Sequence, residues 1–290
     1  MEVFVSLKPT PAELANEVQM SAVDKLGIFL IVEGDADSRL LTRIFDLKNH
    51  VVLPAFGWEA VVEVLRLLEK VKPINIIGLI DRDYHDIPSV KNFAPNIIKT
   101  DHRDLDVTLF ISTAVDVFLR EFGSGQKIVK AGGIEAIKSK IFSECRKIGY
   151  WRILSSYKTN NNLPPLSFKG LSHSRFIDKR SLEFDPNSFL AHIRGLSRHN
   201  ISYTLNDIEI FINSNPHIRE LPNNRICRGH DLFELCAISL MFFAGNHSAN
   251  EWDGDAIERV CRISIDKNEI RKMSFAQALI THFSCSGYQI

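Results

Sequence analysis

The chain reads as an α/β protein, with a Rossmann-like parallel sheet in its first part and a mainly helical C-terminal part. Three observations predict this. Short β-branched runs alternate with amphipathic helical runs from residue 28 to residue 123. The strand-like runs are apolar throughout, as strands covered on both faces are. Beyond Gly123 helical periodicity dominates, broken by turn signals such as NNNLPP, NSNP and LPNN.

The elements follow in order. IFLIVE (28–33), bounded by Gly27 and Gly34, predicts a buried strand. DSRLLTRIFDLKNH then places Leu40, Leu41, Ile44, Phe45 and Leu47 at helical spacing, with Asp35 or Asp37 suited to cap the first turn. VVLPAF predicts a second strand. Gly57 opens WEAVVEVLRLLEKVK, an amphipathic helix that Pro73 stops, and INIIGLI (74–80) predicts a third strand ending in DRDYHD. A fourth strand is expected over 96–100, with DHRDLD directly after it, and VTLFISTAVDVFLREFG predicts a helix ending at Gly123. Further helices are expected near 134–148, 186–196, 205–213, 230–243, 254–263 and 275–282, and a short strand or two within 166–184 that joins the sheet. The expected division is residues 1–122, metal-binding, and 123–290, helical and facing a partner or nucleic acid.

The chain has 290 residues, 45% of them hydrophobic, which suffices for one large domain or two modest ones. The longest nearly uncharged apolar run, 235–245, falls short of a membrane span, and the first residues lack a basic segment followed by an apolar one. The expectation is a cytoplasmic bacterial protein with no membrane contact. Five cysteines without a C-x-x-C pair argue for reduced, buried thiols. The net charge of zero hides an asymmetry. Residues 1–122 hold 13 Lys+Arg against 19 Asp+Glu, and the remainder holds 35−13=22 against 35−19=16. Acids concentrated in the first part suit a cation, and a basic second part suits an anionic partner.

The acids fall where open parallel sheets bind ligands, after the carboxyl ends of strands. Glu33 and Asp37 follow the first strand, Asp81 and Asp83 the third, and Asp101, Asp104 and Asp106 the fourth. Carboxylates gathered at one edge raise one another's pKa, and a divalent cation removes that conflict. Hard oxygen ligands suit Mg²⁺ or Mn²⁺, and the number of acids suits two ions holding a phosphodiester. In an extended D-R-D, Asp81 and Asp83 point the same way and Arg82 the other. DRDYHDIPSVKN lacks the Gly and Glu of a calcium hand, and DRDYH lacks the residues of a haloacid-type phosphatase.

E-G-x-x-D after one strand (Glu33, Gly34, Asp37) and D-R-D after a later one resemble the Toprim domain of topoisomerases, bacterial primases and OLD-type nucleases. VEGDAD, Gly57, LIDRDY, HRDLD and RGHDLFEL together are similar to the nuclease subunits of PARIS-type anti-phage defence pairs. The resemblance implies a Toprim-type fold and a Mg²⁺- or Mn²⁺-dependent nuclease with Glu33 as general acid/base and Asp81 and Asp83 as metal ligands. Asp37 fits the further acid, and Asp104 and Asp106 are the candidates for a second ion. It also implies a toxin effector held by an ABC-type ATPase and released on infection to cut host RNA, with tRNA the expected substrate and DNA the other, and a homodimer as the active form.

Arg82, Lys99, His102 and Arg103 lie near these acids in sequence and are candidates for phosphate contacts. In RKIGYWRILSSYK, Arg146, Lys147 and Arg152 interleave with Tyr150, Trp151 and Tyr157. That suits base stacking between phosphate contacts, although an amphipathic helix gives the same string and core packing is the stronger reading. RGHDLFEL reads as a helix start with Asp231 in its first turn, and His230 is a further phosphate candidate. Two other functions compete. A phosphoacceptor receiver also gathers carboxylates around Mg²⁺, but needs a lone acceptor aspartate after its third strand and a lysine after its last. A non-catalytic module that recruits an ATPase would have no use for intact acids.

Overall fold

The computed structural model describes residues 8–24, 28–45, 51–69, 75–87, 91–159, 165–197, 202–248 and 251–285. The expected helix ends at 46–50 and 70–73, and Ile74, lie outside these. The chain divides into two compact units, 1–82 with 90–101 and 267–290, and 83–89 with 102–266.

The first unit begins with α1 (Pro11–Asp24), a helix the sequence patterning did not predict. Next come β1 (Phe29–Val32), α2 (Asp35–Phe45), β2 (Val51–Pro54), α3 (Trp58–Leu68), β3 (Ile76–Ile80) and β4 (Ile97–Lys99). All strands pair in parallel in the order β2-β1-β3-β4, as the alternation of elements predicts. β1 is buried at every position. Phe29 and Ile31 pack with Leu14 and Val18 of α1 and Val61, Val64 and Leu65 of α3. Strand alternation leaves the buried Leu30 and Val32 for the opposite face, so the apolar run was a sound signal of a two-sided strand. Phe56 and Gly57, between β2 and α3, take positive φ of 62° and 137°, a turn in which glycine costs no strain.

The second unit is helical. Its expected first helix is split at Ser112 into α4 (Leu105–Ile111) and α5 (Thr113–Phe122). Ser112 is extended at φ −63°, ψ 166°, and its hydroxyl accepts the amide of Ala114, so one residue ends the first helix and caps the second. α6 (Gly125–Lys130), α7 (Ile134–Thr159), α8 (Pro186–Leu196), α9 (Leu205–Ser214), α10 (Pro216–Glu220), α11 (Asn223–Ile226), α12 (Gly229–Met241) and α13 (Gly254–Ser264) follow. The strand expected within 166–184 is an isolated antiparallel bridge, Ile177 to Phe184, inside this unit and no part of the sheet. The chain then supplies α14 (Lys267–Arg271) and α15 (Ser274–Cys285) to the first unit, where Phe283 meets Phe45 of α2 edge to face.

The two-part reading therefore needs correcting in its boundary. α4 and α5 do not belong with the sheet, and the last two helices do. The physical reason is that helix-to-sheet packing is decided by contacts distant in sequence, which local composition does not carry. Among the described residues no helix is long and apolar enough to cross a membrane. Cys145, Cys227, Cys236 and Cys261 are buried free thiols.

Candidate metal centre and its surroundings

The chain leaves β1 toward β2 on one side and later returns to β3 on the other, so strand order reverses between β1 and β3. Glu33 follows β1 and Asp81 follows β3 at that switch point. Glu33 Oε1 accepts the backbone amide of Asp81 at 2.8 Å, and its carbonyl accepts the amide of Gly57 at 3.1 Å. One residue thus ties the end of β1 to the end of β3 and to the start of α3. Asp37 sits in the first turn of α2, where the helix's unpaired amides favour negative charge. Its Oδ2 lies 3.3 Å from where a side chain on Gly34 would begin, so glycine leaves that carboxylate its room. Glu33, Asp37 and Asp81 are each partly exposed, the state needed to meet an ion with its waters.

Arg82 points away from these acids along β4: its amide donates to Thr100 Oγ1 at 3.0 Å and its Nε to the Thr100 carbonyl at 2.8 Å. The extended geometry expected of D-R-D ends before its last residue, because Asp83 lies in a turn at φ 41°. Asp101 does something the strand-end reading did not anticipate. Its carboxylate accepts the amides of Ser274 and Phe275 at 2.6 and 2.8 Å and so caps α15.

In the second unit, Asp83 takes φ 41°, rare for a non-glycine residue, and its amide donates to the Arg103 carbonyl at 2.7 Å. The Arg103 guanidinium reaches Asp83 at 2.9 Å and Asp104 at 3.0 Å and lies over the Tyr84 ring at 4.6 Å. Burial works against that charge, but the facing Tyr84, Asp83 and Asp104 hold Arg103 protonated far above its ordinary value. Asp104 is the N-cap of α4. It accepts the amides of Val107 at 2.8 Å and Gly229 at 3.2 Å, joining the starts of α4 and α12. The close approach requires glycine, because a Cβ on Gly229 would lie 2.3 Å from Asp106 Cβ and 2.6 Å from Val107 N.

Asp106 meets Arg262 at 3.3 Å, and Arg262 also holds Glu258 in a tight ion pair. Burial pushes Asp104 and Asp106 up to about 6 each, with Arg103 opposing it in the first and Glu258 adding to it in the second. Beside them His230, Asp255 and Glu258 bring their ligand atoms within 4.8 Å of one another. Among the described residues no other trio of His, Cys, Asp or Glu meets that spacing, the sheet-edge acids included. The i, i+3 spacing of Asp255 and Glu258 was a readable signal of two acids on one helix face that the sequence analysis passed over.

The remaining candidate cations divide by burial. Arg152 forms a two-pronged ion pair with the buried Asp231 at 2.8 and 2.9 Å and lies over Phe168 at 4.3 Å. His173 Nε2 is 3.0 Å from the same carboxylate. Arg152 is thus a structural partner rather than a surface phosphate contact, and Trp151 beside it is buried, so core packing accounts for the aromatic and basic string. Lys147, with Lys140, neutralises the buried Glu144 at 2.5 and 2.9 Å. His102 Nδ1 faces the Asn224 amide nitrogen at 3.0 Å, and His230 lies 3.4 Å from Asp255. Arg103, buried as described, also has no open face for a phosphate.

No family model matches this chain, and no curated protein matches it.

Proposed function

We propose that the chain is a Toprim-type, divalent-metal-dependent phosphodiesterase, a nuclease whose chemistry sits at the carboxyl end of β1 and β3. The observation that carries this reading is the Glu33 to Asp81 hydrogen bond at the switch point, where open parallel sheets place their ligands.

The donor set suits the ion. Glu33, Asp37 and Asp81 are hard oxygen donors, partly exposed, at the edge of the sheet. Mg²⁺ takes only one or two carboxylates and otherwise waters and phosphate oxygens, so a converging trio of acids is not required. When bound, the ion supplies charge to a phosphodiester and acidity to a water. Asp81 and Asp37 would hold the ion; Asp83, the second acid of D-x-D, belongs to the second unit and is paired there with Arg103. Glu33 is the general acid/base, and the Asp81 amide on Oε1 fixes the direction in which its carboxylate hands over or takes up a proton. A tethered carboxylate loses less freedom on meeting substrate than a mobile one.

On the motif resemblance, the biological setting is an anti-phage toxin effector held by an ABC-type ATPase, with host tRNA as substrate. The test is a panel of labelled tRNA, single-stranded DNA and duplex DNA incubated with the protein in Mg²⁺, Mn²⁺ or chelator, alone and with the cognate ATPase. Metal-dependent cleavage of tRNA supports the reading; cleavage that persists in chelator, or none under any condition, removes it.

A further inference from the structure

In the second unit, a surface cavity of ≈ 440 Å³ opens between the 174–180 turn, the start of α8 and the end of α12. Arg175, Lys179 and Arg180 line it, together with Phe242, whose side chain is left 49% exposed at the end of α12. A large exposed aromatic has a solvation cost that an apolar partner removes.

Among the described residues none of the three cations makes an ion pair, although Arg180 is near enough to Asp178 to help hold that carboxyl down. The two acids that also line the cavity are committed locally. Asp178 Oδ1 accepts the amides of Arg180 and Ser181 and the Ser181 hydroxyl, and Asp185 caps α8 through the amides of Asn187 and Ser188 and the Ser188 hydroxyl. Both carboxyls are accordingly held below their ordinary range, chiefly by the Ser181 amide in the first and the Ser188 hydroxyl in the second.

The platform is also rigid. The Ile177 to Phe184 bridge closes the turn, the Asp178 backbone amide donates to the Glu183 carbonyl across it at 2.9 Å, and Phe176, Ile177 and Leu182 anchor it in the core. Arg180 lies over Phe242 at 5.9 Å, so the positive charge and the exposed ring share one surface.

We infer that this cavity is a binding site for a single-stranded nucleic acid, in which Phe242 stacks on a base while Arg175, Lys179 and Arg180 meet the flanking phosphates. Stacking plus phosphate contact is the chemistry that recognises an unpaired strand, and a duplex, whose bases are already stacked, offers no face to Phe242. The inference deepens the nuclease reading by naming where the strand is held, and rests on that reading only for the strand's being a substrate.

The test uses the full chain in chelator, so that no cleavage occurs, and a fluorescein-labelled 12-nucleotide RNA read by anisotropy across a salt series. Phe242→Ala should weaken binding roughly 5- to 150-fold, the range that loss of one stacked base gives. The triple change Arg175→Gln, Lys179→Gln, Arg180→Gln should lower the salt slope by about 2, from ~0.7 per phosphate contact on a single strand. A charge-matched control, Lys130→Gln, Arg259→Gln, Lys272→Gln, should leave the slope within error, and circular dichroism should show all variants folded. Binding unchanged in the Phe242 and triple variants, or weakened equally by the control, would overturn the site. So would equal competition by duplex RNA, or retention of an acidic protein partner in place of RNA by the cavity. The two proposals fail separately: lost binding with no cleavage by any form leaves the site and removes the nuclease, and cleavage with unchanged binding does the reverse.

Discussion

Glu33 Oε1 accepts the amide of Asp81 at 2.8 Å, which joins the ends of the two strands between which the sheet reverses its order. The bond has a structural and a chemical use that substitution separates. Glu33→Gln keeps an oxygen that can accept the amide and should cost less than about 1 kcal/mol of stability, whereas Glu33→Ala should cost about 1.5 to 3 kcal/mol. Urea unfolding of the two variants checks the difference, and cleavage should be lost in both.

Gly229 marks a closer packing constraint. A Cβ there would meet Asp106 Cβ at 2.3 Å and two backbone atoms at 2.6 Å, so the starts of α4 and α12 must separate to admit it. Gly229→Ala should destabilise the protein by about 3 kcal/mol, as overpacking against backbone does, and a thermal melt will read it. A melt unchanged from the parent would show that the approach is looser than described.

Asp104 and Asp81 should respond differently to metal. Asp104 caps α4 and holds Arg103, so Asp104→Ala should cost about 3 kcal/mol whether or not Mg²⁺ is present. Asp81→Asn should leave stability in chelator nearly unchanged and abolish the increase that Mg²⁺ gives the parent, since an ion that binds only the folded state stabilises it by mass action. Melting temperatures in chelator and in millimolar Mg²⁺ compare the two.

Asp231 sets a pH dependence. Burial alone would raise its pKa, but Arg152 and His173 override that and hold the carboxyl far below its ordinary value. The unfolded chain takes up a proton on this group near pH ~3.9 while the folded chain does not, so the stabilisation is complete above that pH and is lost as pH falls below it. Asp231→Asn should cost about 3 to 5 kcal/mol at neutral pH, because it leaves the largely enclosed Arg152 uncompensated, and should flatten the acid limb. Urea midpoints from pH 2 to 7 measure both effects.

The sheet was legible in the sequence because each strand is an apolar run with punctuation, and two-sided burial makes such runs self-announcing. Glu33 and Asp81 were legible for the same reason, since a strand's end fixes where the next side chain goes. What stayed hidden depends on partners far along the chain. Asp101 looks like any strand-end acid until Ser274 and Phe275 arrive 173 and 174 residues later to be capped. Arg152 looks like a surface cation until Asp231 meets it from α12. α1 went unread because it lies before the first strand signal, and its burial against α3 is likewise a tertiary fact.

The most direct measurement is an anomalous difference map from crystals of the protein grown with Mn²⁺. A divalent ion at the carboxylates of Asp81 and Asp37, absent in Asp81→Asn but retained in Glu33→Gln, is the predicted result. An ion bound only by His230, Asp255 and Glu258, with none at the ends of β1 and β3, would contradict the account.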